Sequence, residues 1–331
     1  MRKSQASPPV NTLIFMGMTA PPSKAALMER EIHSVPNDIV TRTKLLGYEY
    51  VHQFSTPVAA KKFDNLALWF IARHPGLHIS GSPYLVIDKN RAPAAYAQGS
   101  RLWKQAVHKQ PRDVNVLANA AAFFTSYDSQ EAALLLMQAS YLDPKSVTLH
   151  NKLGTLYALR AERYPASSHV DAVLALAELQ RAQDLSHDPT EQYEKLQPLA
   201  FMAMEAGNTA LATRYARRML HPTLGTPGVF PVGNSLHDAY IILGRVALKQ
   251  NNALQAEAYL MAASQVPLSP DLKNFGPNMS LARDFLLRGK PKPVLRYFEA
   301  CELFWHDQRL ALWKTMIQSG KIPKFGPNLW Y

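Results

Sequence analysis

The chain has 331 residues, of which 47% are hydrophobic and 18% are charged. This apolar content excludes an intrinsically disordered chain, and the length allows one large domain or two ordinary ones. The single cysteine, Cys301, excludes an intramolecular disulfide and a cysteine-based zinc site. The longest clean apolar run, residues 66–72, is far shorter than the roughly 20 residues that span a bilayer, so we predict no membrane span.

The net charge of +11 is concentrated at the two ends of the chain. Residues 1–110 hold 14 Lys and Arg against 6 Asp and Glu, and residues 281–331 hold 9 against 4. Residues 111–280 hold 13 against 15. A nucleic-acid-binding protein more often has a continuous basic face or a basic helix. We therefore disfavour nucleic acid as the partner and keep RNA or polyanion binding as an alternative.

Residues 1–35 are predicted to be a leader, either disordered or a possible signal segment. Two basic residues precede an apolar stretch at 10–20, as in a signal peptide. Polar residues separate those charges from the apolar stretch, and Pro21-Pro22 follow it directly, which favours a disordered leader. We expect a cytoplasmic protein, with export through an N-terminal signal segment as the alternative.

From about Pro36 onward, apolar residues recur at helical spacing and strand-like alternation is nearly absent. A first helix with the pattern W-x2-L-G-x2-Y and a second with A-x3-F recur along the chain. The clearest copy consists of His150, Leu153, Gly154 and Tyr157, with His in place of Trp. Another copy begins at Tyr240, Leu243, Gly244 and Ala247 and continues, after the turn at Asn251-Asn252, through Ala256, Tyr259, Leu260 and Ala263.

The small residues at fixed positions of this pattern allow the two helices of a repeat to pack closely. Two helices approach to about 8–10 Å only where the contact residues are small, so we expect such contacts at Gly154 and Gly244. One hairpin cannot bury its own apolar face and must stack on the next. The pattern resembles the tetratricopeptide repeat family over about residues 36–302. The resemblance implies an all-α, right-handed α-solenoid of helix-turn-helix repeats with a C-terminal capping helix.

Departures from the repeat divide the chain further. We predict a leader at 1–35, irregular N-terminal helical repeats at 36–111, tetratricopeptide-like repeats at 112–302, and a capping helix with an aromatic tail at 303–331. An insertion is expected as a loop at 162–169, and Pro198 is expected to kink a helix or to mark its start.

One four-residue segment occurs twice near the C-terminus. Phe275-Gly276-Pro277-Asn278 recurs fifty positions later as Phe325-Gly326-Pro327-Asn328. A shared loop sequence is one interpretation. We favour a tail that folds back and docks, because exposed aromatic side chains at the end of the chain would form an apolar liability.

No motif for catalysis or cofactor binding occurs in the sequence. Gly-rich phosphate loops, H-E-x-x-H and G-x-S-x-G are absent. The adjacent pairs His187-Asp188 and His306-Asp307 lack the number of ligands that a metal site requires. Cys301 falls where the repeat needs a small buried residue. We predict no catalytic, metal-binding or cofactor-binding residues, no cofactor, and a protein that is not an enzyme.

In the tetratricopeptide family the first helices line a concave face, and the resemblance implies which positions face a partner. Those positions are Asn115, Asn119, Asn151, Lys152, Thr155, Gln197, Phe201, Arg245 and Arg283. The set is neutral to basic, apart from the neighbouring acids Glu194 and Asp238. Side-chain amides can hold an extended peptide, with Arg245 and Arg283 on its carboxylates. Ordinary solvated surface is the alternative.

The resulting functional hypothesis is a non-enzymatic scaffold that binds a peptide or partner protein on the concave face. The first alternative is an assembly or regulatory subunit of an enzyme complex, and the second is RNA or polyanion binding. The sequence does not identify the partner or the oligomeric state.

Overall fold

A computed structural model describes residues 9–164, 166–221 and 232–330. All regular structure in these ranges is helical. The helices are α1 Val10–Met18, α2 Pro22–Ser34, α3 Ile39–His52, α4 Pro57–Arg73, α5 Pro93–Lys109, α6 Val114–Phe124, α7 Ser129–Leu142, α8 Val147–Arg163, α9 Ser168–Leu185, α10 Pro189–Glu194, α11 Leu196–Glu205, α12 Thr209–Met219, α13 Val232–Lys249, α14 Ala253–Ser264, α15 Pro270–Asn274, α16 Ser280–Leu287, α17 Pro291–Cys301 and α18 Gln308–Gln318. None of the helices in the described part of the chain has the length and apolar character needed to cross a membrane.

The chain forms two compact units, Met1–Leu149 and His150–Tyr331. In the first unit, each helix from α3 to α7 packs on the next one along the chain. The irregular stretch at 74–92, between α4 and α5, contains two short 3-10 helices, His78–Gly81 and Pro83–Leu85. These pack against α6 and α3.

Within the predicted leader, residues 10–18 and 22–34 form helices α1 and α2, which differs from the expected disorder. Leu13 and Ile14 are buried, and α1 packs closely on α3. Gly17 and Gly47 permit this contact. A Cβ atom at Gly17 would lie 1.7 Å from the Lys44 carbonyl oxygen, and one at Gly47 would lie 2.2 Å from the Ile14 carbonyl oxygen. Gly47 therefore serves the contact between α3 and α1.

The second unit is a stack of helix pairs. Its first helices are α8, α11, α13 and α16, and its second helices are α9, α12, α14 and α17. Among the first helices, α11 packs beside α13 and α13 beside α16, while α14 packs beside α17 among the second helices. The fold is thus an all-α stack of helix-turn-helix repeats of the tetratricopeptide type, and α18 packs on the last second helix as the predicted cap.

Local sequence explains where these helices begin. Asp113 and Asp128 are N-caps whose carboxylates accept hydrogen bonds from backbone N–H groups of α6 and α7. Asn208 and Asn252 do the same for α12 and α14. Such caps satisfy donors that have no partner within the helix.

The helix bounds show how the chain accommodates the insertion expected at 162–169 and Pro198. The connection between α8 and α9 covers only residues 164–167, so much of the extra length of this repeat lies in the helices. They have 17 and 18 residues, against 11 and 14 in α6 and α7. Pro198 is the third residue of α11, where the helix needs no internal N–H donor, and so marks its start. The Pro- and Gly-rich stretch at 221–233 lies largely outside the described residues.

A continuous apolar core fills the C-terminal half of the second unit. It joins α13, α14, α16, α17 and α18 and includes Trp305, Trp313 and Phe325. Cys301 is fully buried in this core, and burial raises the pKa of its thiol. The prediction that Cys301 is a core residue is confirmed.

Candidate partner-binding site

The predicted partner-binding residues differ in exposure. Asn115, Lys152, Thr155 and Arg283 are exposed, Asn151 and Gln197 are half-buried, and Asn119, Phe201 and Arg245 are held in internal contacts. Partial desolvation lowers the pKa of Lys152. The role of these residues in binding stays a prediction, but the internal contacts decide which of them can reach a partner.

Asn119 and Arg245 already have strong partners within their own units. The Asn119 side-chain amide donates to the carbonyl oxygens of Pro75 and Leu77, both at 2.9 Å. The Arg245 guanidinium pairs with Glu205 at 2.7 Å and with Asp284 at 2.8 Å. Burial alone would lower the pKa of Arg245, but the two carboxylates hold it above its ordinary value. Neither side chain is available to a peptide without losing these contacts.

A cavity of about 310 Å3, lined by both polar and apolar residues, lies among α11, α13, α15 and the segment after α15. We call it the Asp238 pocket, and its lining residues are Gln197, Asn234, His237, Asp238, Asp271, Leu272, Phe275, Gly276 and Asn278. Gln197 and Asp238 are positions that the sequence placed on or beside the partner-facing surface. The lining contains two carboxylates and, within the described residues, neither Lys nor Arg.

Asp238 is the most unusual group in the pocket. Its side chain is buried, with 2% of the residue exposed. Oδ2 accepts a hydrogen bond from Gln197 Nε2 at 2.5 Å, whereas Oδ1 has no partner in the part of the chain that the structure describes. Burial raises the pKa of Asp238 to about 7, against the opposing effect of the Gln197 hydrogen bond. A buried carboxyl group with a raised pKa therefore lines the cavity.

His237 precedes Asp238 but serves a structural purpose. Nε2 accepts a hydrogen bond from the Asn278 backbone N–H at 3.0 Å, so Nδ1 carries the proton and donates to the Ala263 carbonyl oxygen at 2.9 Å. Burial lowers the pKa of His237 to about 4. The neutral ring thus links α13 to the end of α14 and to the segment before α16.

The rim of the pocket is polar on one side and aromatic on the other. Asn234 donates to Asp271 Oδ2 at 2.9 Å and accepts from the Ser269 hydroxyl. The Phe275 side chain lies at the rim with 55% of the residue exposed. Gly276 has a φ of +89°, and a Cβ atom there would lie 2.4 Å from the Trp305 ring. Only glycine allows this wall to pack against Trp305.

The C-terminal tail supports the same wall. The Asn328 side-chain amide donates to the carbonyl oxygens of Phe275 and Pro277, at 3.0 and 3.1 Å. The Met279 N–H donates to the Asn328 carbonyl oxygen at 2.6 Å. The second copy of the Phe-Gly-Pro-Asn segment therefore holds the first copy in place, and the prediction that the tail docks is confirmed.

The sequence predicts part of this pocket and not the rest. The His-Asp pair at 237–238 is not among the candidates that the motifs single out, unlike the pairs at 187–188 and 306–307. The available signal was helical register, because this pair lies one turn before the apolar run at 240–243 and its position favours burial. Asp271 gave no such signal, since it belongs to a five-residue helix that the repeat pattern does not include.

Solved structures similar to this chain share low sequence identity with it and have TM-scores below 0.5. No protein family model and no curated protein matches the sequence. MamA is 18% identical over 53% of this chain and 91% of its own, with a TM-score of 0.39. Human IFIT1, in a dimer with PPP-AAAA, is 18% identical over 87% of this chain and 67% of its own, with a TM-score of 0.41. Yeast Tom70 is 14% identical over 97% and 66%, with a TM-score of 0.43. These similarities concern the fold and do not identify a function.

Proposed function

We propose that the protein is a non-enzymatic interaction scaffold that binds a peptide or partner protein across the first helices of its second unit. The observation that carries the proposal is the Asp238 pocket, which opens between first helices α11 and α13. A repeat stack with a cavity bordered by two first helices and by α15 suits the capture of side chains from a partner.

The hydrogen bonds of the pocket support a binding role over a catalytic one. His237 uses both ring nitrogens in bonds to backbone groups, so it cannot serve as a base toward a nucleophile without losing one of them. Lys152, Thr155 and Arg283 are exposed on first helices and can donate to a partner. Asn119, Phe201 and Arg245 are left out of the proposed surface because their side chains are engaged internally.

Charge reversal on the first helices tests this proposal. The full-length protein, K152E/R283E and R181E/K292E are each used to capture proteins from the native host's lysate at about 150 mM salt. Arg181 and Lys292 are exposed on second helices α9 and α17, so the control variant has the same net charge as the test variant. We expect K152E/R283E to lose the partners that wild type and R181E/K292E retain.

A nuclease-treated sample separates protein binding from nucleic-acid binding. Partners that survive nuclease and bind with little change between about 50 and 200 mM salt support the proposal, because polyanion binding weakens steeply over this range. Loss of all partners after nuclease, or equal capture by the two charge-reversed variants, would contradict it. The cytoplasmic location stays a prediction.

A further inference from the structure

We infer that the Asp238 pocket binds a cationic group, the ammonium or guanidinium end of a basic side chain on the partner. This inference rests on the proposed function, since it names the part of the partner that enters the cavity. It reverses the charge relation expected from the sequence, in which arginines of this chain would bind carboxylates of a peptide.

The charges of the lining residues support a cation. Asp238 and Asp271 both line the cavity, and the described lining includes no Lys or Arg to balance them. His237 is also in the lining, but its two nitrogens are engaged with Ala263 and Asn278. An anionic ligand would be repelled by the carboxyl groups of Asp238 and Asp271 in the lining, whereas a cation would be attracted to them. Asp238 also has a buried oxygen, Oδ1, that lacks a partner among the described residues.

Because Asp238 is buried, the charge of the group that binds its carboxylate affects the strength of binding. A buried carboxylate without a charged partner is unfavourable, and a cation with good hydrogen-bond geometry relieves this. At present Oδ2 accepts from the neutral Gln197 amide. A charged donor forms a stronger hydrogen bond to a carboxylate than a neutral amide does. Gln197 is half-buried on the first turn of α11, and turning its side chain toward solvent would leave Asp238 to the incoming cation.

The size and rim of the pocket fit one side chain. Its volume of about 310 Å3 is at the lower end of the range for ligand cavities. The exposed Phe275 ring at the rim offers an apolar face to the methylene stem of Lys or Arg, or a π-face to its charge.

Titration with a side-chain mimic tests the cation site. The full-length protein is titrated with n-butylammonium chloride and, as the uncharged control, with n-butanol, using NMR shifts of the indole and amide signals. Variants are D238N, the rim variant D271N and E299Q, which removes an exposed carboxylate from α17. Circular dichroism establishes that each variant is folded.

We expect saturable binding of n-butylammonium but not of n-butanol to wild type and E299Q. Binding should weaken by at least about tenfold in D238N and by a few-fold in D271N. If D238N disturbs folding, D271N alone still tests the charge dependence, because Asp271 is exposed. Equal binding of the two compounds, or unchanged binding in D271N and any folded D238N, would overturn the inference.

A peptide pair distinguishes a partner side chain from a free amine. A seven-residue Ala/Gly peptide with one central Lys should bind wild type more tightly than n-butylammonium does, and acetylation of that Lys should abolish binding. If the amine binds and the peptide does not, the assignment to a partner's side chain is overturned. A folded D238N that captures the same lysate proteins as wild type would overturn the cation site while leaving the scaffold proposal in place.

Discussion

At the scale of single residues, burial shifts the pKa values of two neighbouring residues on α13 in opposite directions. His237 has its pKa lowered to about 4, so the folded state loses stability as pH falls from about 6.5 through 4. Asp238 has its pKa raised from 3.8 to about 7, so the folded state loses stability as pH rises through that interval. The two effects oppose each other between about pH 4 and 6.5, and above that only the Asp238 effect continues.

D238N should separate these effects. Wild type loses stability as pH rises because the pKa of Asp238 is raised by about 3 units, and each unit corresponds to 1.36 kcal/mol. D238N lacks this carboxyl, so its free energy of unfolding minus that of wild type should increase by up to about 4 kcal/mol from pH 4 to pH 8. Tyr297 from α17 interacts electrostatically with this carboxyl, and His237 and Asp271 from α15 are the other titratable groups in the lining of the same pocket. Urea unfolding at a series of pH values measures the difference. E299Q should follow wild type, and parallel curves for D238N and wild type would refute the expectation.

Two asparagines, Asn119 and Asn328, form long-range hydrogen bonds that the sequence pattern does not predict. Asn119 and Asn328 each donate to two carbonyl oxygens that flank a glycine, Gly76 and Gly276 respectively. The repeat register predicts Asn119 as a partner-binding residue. The irregular stretch at 74–92 leaves backbone carbonyls that need donors, and Asn119 supplies one from more than forty positions away. A pattern built on neighbouring residues carries no information about such distant bonds.

At the scale of elements, the docked tail is the segment with the clearest energetic role. N328A should lower the free energy of unfolding by about 1–3 kcal/mol, because it leaves the carbonyl oxygens of Phe275 and Pro277 without their donor in a buried site. Urea unfolding, followed by tryptophan fluorescence, measures the change. N274A is the matched control, since Asn274 is exposed one residue before the same segment. Equal stability of N328A and N274A would contradict the tail's supporting role.

The elements themselves follow closely from local sequence. The repeat pattern predicts the pairs α8–α9 and α13–α14. Helix α1 was missed because it has nine residues, no side-chain cap, and no charged residue in its first or last turn. Its stability comes from the close contact with α3 at Gly17 and Gly47, which is a tertiary effect.

At the scale of the whole molecule, the repeat pattern predicts the fold but only part of the candidate site. Each repeat repeats the same local contacts, so a few well-matched copies are enough to predict a helical stack. The Asp238 pocket depends instead on departures from the repeat, namely α15 and the Phe-Gly-Pro-Asn segment. These meet α11 and α13 across a sequence separation of about eighty residues, from Gln197 to Asn278. Only the structure brings them together.

Hydrogen–deuterium exchange of the full-length protein, alone and with a captured partner, tests the central claim most directly. We predict slower exchange in the first helices of the second unit, above all in α11, α13 and the segment between α15 and α16, with little change in second helices α12, α14 and α17. Protection confined to the second helices would contradict binding across the first helices. Protection confined to the first unit would contradict it equally.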